Sequence, residues 1–170
     1  MSTSPFYGKY RGTVVNNIDP MQIGRIQVMV PDVAGFVPGT WAMPCVPVAG
    51  INAGVFTVPM PGAGVWVEFE RGDPDYPIWV GGYWGSAAEV PVLARMVPPG
   101  VPGMTIQTPL KNGIVVSDVP GPTGGILIQT TTGAMISVSD VGILISNGKG
   151  AMINMTGPTV DINLGALTIV

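Results

Sequence analysis

The side chains that carry most covalent and acid–base chemistry are scarce in this sequence. There is no histidine and a single cysteine, Cys45, so neither a Ser-His-Asp nor a Cys-His arrangement can be assembled. Cys45 lies in the apolar run Met43 to Val48 and is expected as a buried structural thiol without a disulfide partner. Glu68 and Glu70 alternate along a predicted strand, which turns both to one outward face and reads as a solvated or interface surface, not an acid pair in a cleft. Asp73 and Asp75 stand in Gly72-Asp73-Pro74-Asp75, where a carboxylate accepting backbone N–H groups and a φ-fixing proline make a hairpin corner. Further ligands for a metal are missing nearby. The glycine runs lack the Lys-Ser/Thr ending of a phosphate loop. The expectation is no catalytic residue, no metal and no cofactor. One ligand chemistry is left: Trp66, Trp79, Tyr83 and Trp84 as stacking platforms for a nucleic acid. Seven scattered Lys and Arg, a net charge of −3 and a pI near 4.6 oppose it, because phosphate binding draws on clustered cations.

The elements around these residues are short strands. Charged residues are 10% of the chain against about 25% in an ordinary domain, while 25 glycines, 18 prolines and a 46% apolar content argue for a turn-rich all-β protein. A chain so poor in surface charge hides apolar faces against other chains, which implies obligate oligomerisation. No run of 18 apolar residues occurs. The opening MSTSPFYGKY lacks the layout of a signal peptide, so the chain is expected to stay soluble in the cytoplasm where it is made until it is assembled.

Two halves differ in grammar. Residues 1–90 hold all four Trp, all four Phe, all four Tyr and 11 of the 17 charged residues. The break falls at the Pro/Gly-rich run Val97 to Gly103, which predicts one domain over 1–90, an extended linker over 91–104 and a second domain over 105–170. In the first, period-two stretches at Tyr7 to Val15, Gly24 to Val30, Trp41 to Val48, Val65 to Phe69 and Ile78 to Tyr83 predict five strands of a small closed barrel. Ile26, Val28 and Val30 share one face, as do Val65, Val67 and Phe69.

The second domain is a repeat, with glycines at 125, 133, 142, 150, 157 and 165 and one short strand per interval. Apolar residues alternate within each string: Ile114 and Val116, Ile126 and Ile128, Ile136 and Val138, Ile143 and Ile145, Ile153 and Met155, Val160 and Ile162, Leu167 and Ile169. These form an inward-facing column, expected as a trimer core. Val115, Ser117, Leu127, Gln129, Met135, Ser137, Leu144, Asn154 and Asp161 lie opposite. A single ribbon supplies no second layer for the column, so either the chain coils on itself or several chains wrap together, with backbone hydrogen bonds between them.

Tyr7 to Gly85 resembles the OB domain of the phage baseplate assembly protein V family, which includes contractile-tail central spikes and is related to the valine-glycine-repeat spike of type VI secretion. The resemblance rests on Gly12-Thr13-Val14, Asp19-Pro20, Gly24-Arg25-Ile26-Gln27-Val28, Pro31, Trp41, Ala49-Gly50, Phe56, Pro59 and Val65 to Glu70. Its most specific part is Gly72-Asp73-Pro74-Asp75-Tyr76-Pro77-Ile78-Trp79-Val80-Gly81. It implies an OB-fold barrel followed by an intertwined trimeric β-helical needle, in a homotrimer under a separate hub protein of a virion tail baseplate or related injection particle. The needle would pierce the target membrane mechanically on sheath contraction, without nucleic acid and without enzymatic activity.

Two departures from the family pattern matter. No room exists for a lysozyme domain between barrel and needle, and the absence of histidine removes the iron-binding tip of some members. The apolar end Gly165, Ala166, Leu167, Thr168, Ile169 and Val170 is therefore expected to carry a separate tip protein of the PAAR-repeat kind. The competing readings are a nucleic-acid-binding OB module and a fibre-tip adhesin.

Overall fold

Alternating aliphatic residues set the strands of the first unit in the computed structural model, which describes residues 5–35 and 38–169. In chain order they are β1 (Tyr10–Asn16), β2 (Ile26–Met29), β3 (Pro38–Pro44), the two-residue strands β4 (Ala49–Gly50) and β5 (Ala53–Gly54), β6 (Gly64–Phe69) and β7 (Pro77–Tyr83). A one-turn helix, Pro31–Ala34, separates β2 from β3. Five strands close a barrel in the order β1-β2-β3-β7-β6. Every pairing is antiparallel except β3 with β7, where Met43 lies opposite Ile78. Closure leaves the barrel no free sheet edge, and this is the OB arrangement.

The inward positions are those the period of two selects: Val14, Ile26, Val28, Val65 and Val67 are fully buried, with Val30, Ala42 and Trp79 beside them. Trp79 donates its Nε1–H to the Gly24 carbonyl at 3.0 Å, so its one polar atom is satisfied inside the core. The Asp19 turn is pinned by its carboxylate. It accepts from the backbone N–H groups of Met21, Ile23 and Arg25 at 3.0, 3.0 and 3.2 Å, and from the Arg25 guanidinium at 2.7 and 3.0 Å. The guanidinium first, then the backbone donors, hold this carboxyl well below the usual carboxylate range against the opposing effect of burial.

Cys45 is exposed, contrary to expectation. Strand β3 ends at Pro44, so Cys45 leaves the barrel wall while its N–H still reaches the Trp79 carbonyl at 3.0 Å.

The chain divides between Glu89 and Val90. The second unit holds β8 (Gly103–Gln107), β9 (Gly113–Ser117), β10 (Gly125–Gln129), β11 (Met135–Ser139), β12 (Gly142–Ser146), β13 (Met152–Thr156), β14 (Thr159–Ile162) and β15 (Leu167–Ile169). They form one eight-stranded antiparallel sheet in sequence order. Two features differ from the sequence reading. The backbone ladder is made within the chain, each strand pairing with its neighbours in sequence, where a ladder between chains was expected. Within 91–104, Val92–Met96 forms a 3-10 turn that packs on β8 and β9, with Leu93 buried and its N–H on Gln107 Oε1 at 2.9 Å, and β8 begins at Gly103.

A meander places its connections alternately on two edges. One edge collects the loops 108–112, 130–134, 147–151 and 163–166. These loops stack: Thr131 N–H donates to Asn112 Oδ1 at 3.0 Å, and Met152 N–H to Asn163 Oδ1 at 2.9 Å. Gly148, at φ +70°, lies so close to the loop before it that a Cβ would stand 2.6 Å from the Gly133 carbonyl carbon. The other edge holds 118–124 and the tight turns Asp140-Val141 and Gly157-Pro158. Gly121 N–H bonds Asp140 Oδ2 across it at 3.0 Å.

Candidate functional site

The sheet registers bring the expected core residues into two unbroken files on one face. One runs Val116, Ile126, Val138, Ile143, Met155, Val160, Ile169, each directly opposite the next. The second runs Ile114, Ile128, Ile136, Ile145, Ile153, Ile162, Leu167. Both extend one strand further than the sequence reading allowed, because Met104 pairs with Val116 and Ile106 with Ile114. The Pro/Gly-rich stretch before them hid strand β8. The only available cue was the alternation Met104-Thr105-Ile106-Gln107.

Among the described residues, nothing within the unit covers this face. Ile114, Ile126, Ile128, Ile136, Val138, Ile145 and Ile153 remain 37–44% exposed, and Val116, Ile143, Met155, Val160 and Ile162 are half-buried. The opposite face, which reads as the more polar one, is the better covered. Val115 and Ser117 are buried where the 3-10 turn at Val92–Met96 lies against β8 and β9, and Leu127, Ser137 and Leu144 are half-buried. An aliphatic face eight strands tall at about 4.8 Å per strand spans about 34 Å. Its exposed apolar area calls for a partner.

Of the proposed tip residues, Gly165 and Ala166 lie in the last turn, and Leu167 and Ile169 are exposed on the edge strand β15. Thr168 contributes backbone to β15; Val170 lies outside the described residues.

The barrel offers no catalytic constellation among the described residues. Glu68 is ion-paired with Lys9, and Glu70 has left the strand to open a 3-10 turn, so the two carboxylates do not converge. Asp73 Oδ1 accepts the Asp75 N–H at 3.0 Å, as a hairpin corner requires, and no cluster of metal-ligating side chains is present among the described residues. The four aromatics do not share one platform. Trp79 is buried, and Trp66 and Tyr83 pack at 5.1 Å between centroids with Arg11 over both rings at 5.5 and 5.4 Å. Of the four aromatics, Trp84 is the exposed one.

The sequence reading missed an apolar surface on the barrel. Ile18, Met21, Ile51, Phe56 and Met60 are exposed, and Ile23, Met43, Val48, Val55 and Phe56 line an open groove of about 470 Å³. No charged residue occurs between Asp32 and Glu68, which could have marked this surface.

Residues 10–84 match the family described as the type VI secretion system/phage-baseplate injector OB domain. Residues 103–168 match the phage baseplate V C-terminal trimerisation domain. Among curated proteins no match is found.

Proposed function

The chain belongs to the phage baseplate V family, whose injector OB domain and trimerisation domain it carries in that order, and from this premise we propose that it is the central spike of a contractile injection machine. A structural role in a tail baseplate or injection particle follows from the family. The finer reading is that three copies close their aliphatic faces on a common axis, making a stiff needle that sheath contraction drives through the target envelope. The observation that carries it is the pair of aliphatic files, open on the surface of a unit matched to a trimerisation domain.

Force transmission requires no chemistry of its own. A sheet whose backbone groups are paired along its whole height resists shortening because compression would break many hydrogen bonds at once. The separate hub is assigned to the uncharged apolar surface of the barrel around Ile51 and Phe56, and a PAAR-type cap to the β15 edge with Leu167 and Ile169. Target membrane contact is transient, and the spike acts without enzymatic activity and without nucleic acid.

The test is the mass of the full chain in solution. A value near three times 17.6 kDa is expected, and a stable monomer at micromolar concentration removes the needle. Electron microscopy of the native particle then separates a spike on the tube axis from an adhesin on peripheral fibres.

A further inference from the structure

The two aliphatic files repeat nearly the same residue at every step, so sliding one copy past another by one strand exchanges isoleucine for isoleucine or valine at most positions. Hydrophobic contact is non-directional and scales with area. The face alone therefore fixes neither the height at which copies meet nor the direction in which they follow one another. A feature that does not repeat has to do so.

The two edges carry one. Six charged residues lie between Val90 and Val170, and four of them are sorted by sign. Lys111 and Lys149 stand on the loop edge, in 108–112 and 147–151; Asp118 and Asp140 stand on the opposite edge. Of the other two, Arg95 is in the 3-10 turn and Asp161 is inside β14. Among the described residues, none of the four edge groups is in an ion pair within the chain.

A closed ring of identical copies repeats one heterologous contact, in which the loop edge of each copy meets the opposite edge of the next. Resting on the trimer reading above, we propose that these edges are a self-complementary electrostatic seam: Lys111 pairs with Asp118 of the next copy, and Lys149 with its Asp140. The strand order supports the match. Lys111 lies between β8 and β9 and Asp118 between β9 and β10, while Lys149 lies between β12 and β13 and Asp140 between β11 and β12. At equal height each pair is one strand apart, about 4.8 Å, within reach of a flexible lysine stem. The offsets are opposite in sense. Slipping one copy by a strand levels one pair and parts the other by two strands, about 9.6 Å, so only equal height keeps both pairs within reach of their lysine stems. Equal height is what closes a ring instead of an open staircase.

The experiment uses the full chain and its trimer dissociation constant by sedimentation at low and high salt. Lys111→Glu with Lys149→Glu makes both edges acidic, and Asp118→Lys with Asp140→Lys makes both basic. A trimer holds six such pairs, each worth about a factor of three, so either double variant is expected to raise the dissociation constant roughly 10²–10³-fold at low salt, and less at high salt. The fourfold variant, with the signs exchanged, is expected to return to within about tenfold of the original. Because Asp140 also holds Gly121 N–H, Lys111→Glu with Asp118→Lys gives a second cycle free of that contact. Inert edge variants of a trimeric parent, or a fourfold variant no better than the doubles, overturn the seam alone; a monomeric parent overturns the trimer as well.

Discussion

Replacing Ile136 by alanine tests the aliphatic face where its consequence can be worked out. Ile136 sits mid-file, between Ile128 and Ile145. Truncating a buried isoleucine costs about 2–5 kcal/mol. In the single chain 41% of Ile136 is uncovered, so about 0.8–2 kcal/mol of that loss belongs to burial by other copies. Three copies lose about 2.5–6 kcal/mol together, which at about 1.4 kcal/mol per tenfold weakens the trimer roughly 10²–10⁴-fold. Sedimentation across a concentration series reads this directly, and far-UV circular dichroism of the dissociated chain reports whether the sheet persists. Ser137→Ala, one residue along and on the opposite face, is the control and is expected to leave the trimer unchanged. An Ile136→Ala trimer as tight as its parent, or a Ser137→Ala trimer weakened equally, refutes the assignment of the axis to the aliphatic files.

Three further outcomes follow from the barrel and the loop edge. Because the folded-state carboxyl of Asp19 is held below its ordinary range, its stabilising contribution is complete above about pH 4, the usual aspartate value, and fades as pH falls towards the folded value. Asp19→Asn should lower the melting temperature near neutrality and flatten the acid limb of the stability profile, checked by thermal melts across pH. Trp79→Phe keeps an aromatic ring but removes the pyrrole part of the indole, which leaves the Gly24 carbonyl without its donor and a small void beside it, an expected loss of about 1–3 kcal/mol or more by denaturant unfolding. Gly148→Ala should cost about 1 kcal/mol or more in a thermal melt, since its φ of +70° disfavours a side chain and the Cβ would strike the Gly133 carbonyl.

Local periodicity made the strands legible. Ile26, Val28 and Val30, or Val65 and Val67, alternate so strictly that only one face can be buried, and the core follows. The glycine spacing announced the repeat and its aliphatic column in the same way. What escaped was non-local. Cys45 read as buried because its neighbours are apolar, yet the strand had already ended at Pro44. Glu70 read as a strand residue because it follows Glu68 in step, whereas the corner begins with it. Val115 owes its cover to the turn at Val92–Met96, some twenty residues upstream, and no pattern within its own strand encodes that. The barrel groove around Phe56 is likewise a matter of loops meeting in space. Its one linear trace, the uncharged stretch from Val33 to Val67, is easily taken for core.

The sequential order of the eight strands bears on how the molecule comes to exist. Every rung of the sheet joins neighbours in the chain through connections of two to seven residues, so no long loop has to be closed before a contact is gained. The ribbon can therefore grow strand by strand during synthesis, in a lone chain, ahead of any encounter between copies. During that interval both aliphatic files face solvent, and a finished but solitary ribbon is a sticky species. Its lifetime is set by how fast two more copies arrive. Production of the protein is thus a race between association and aggregation.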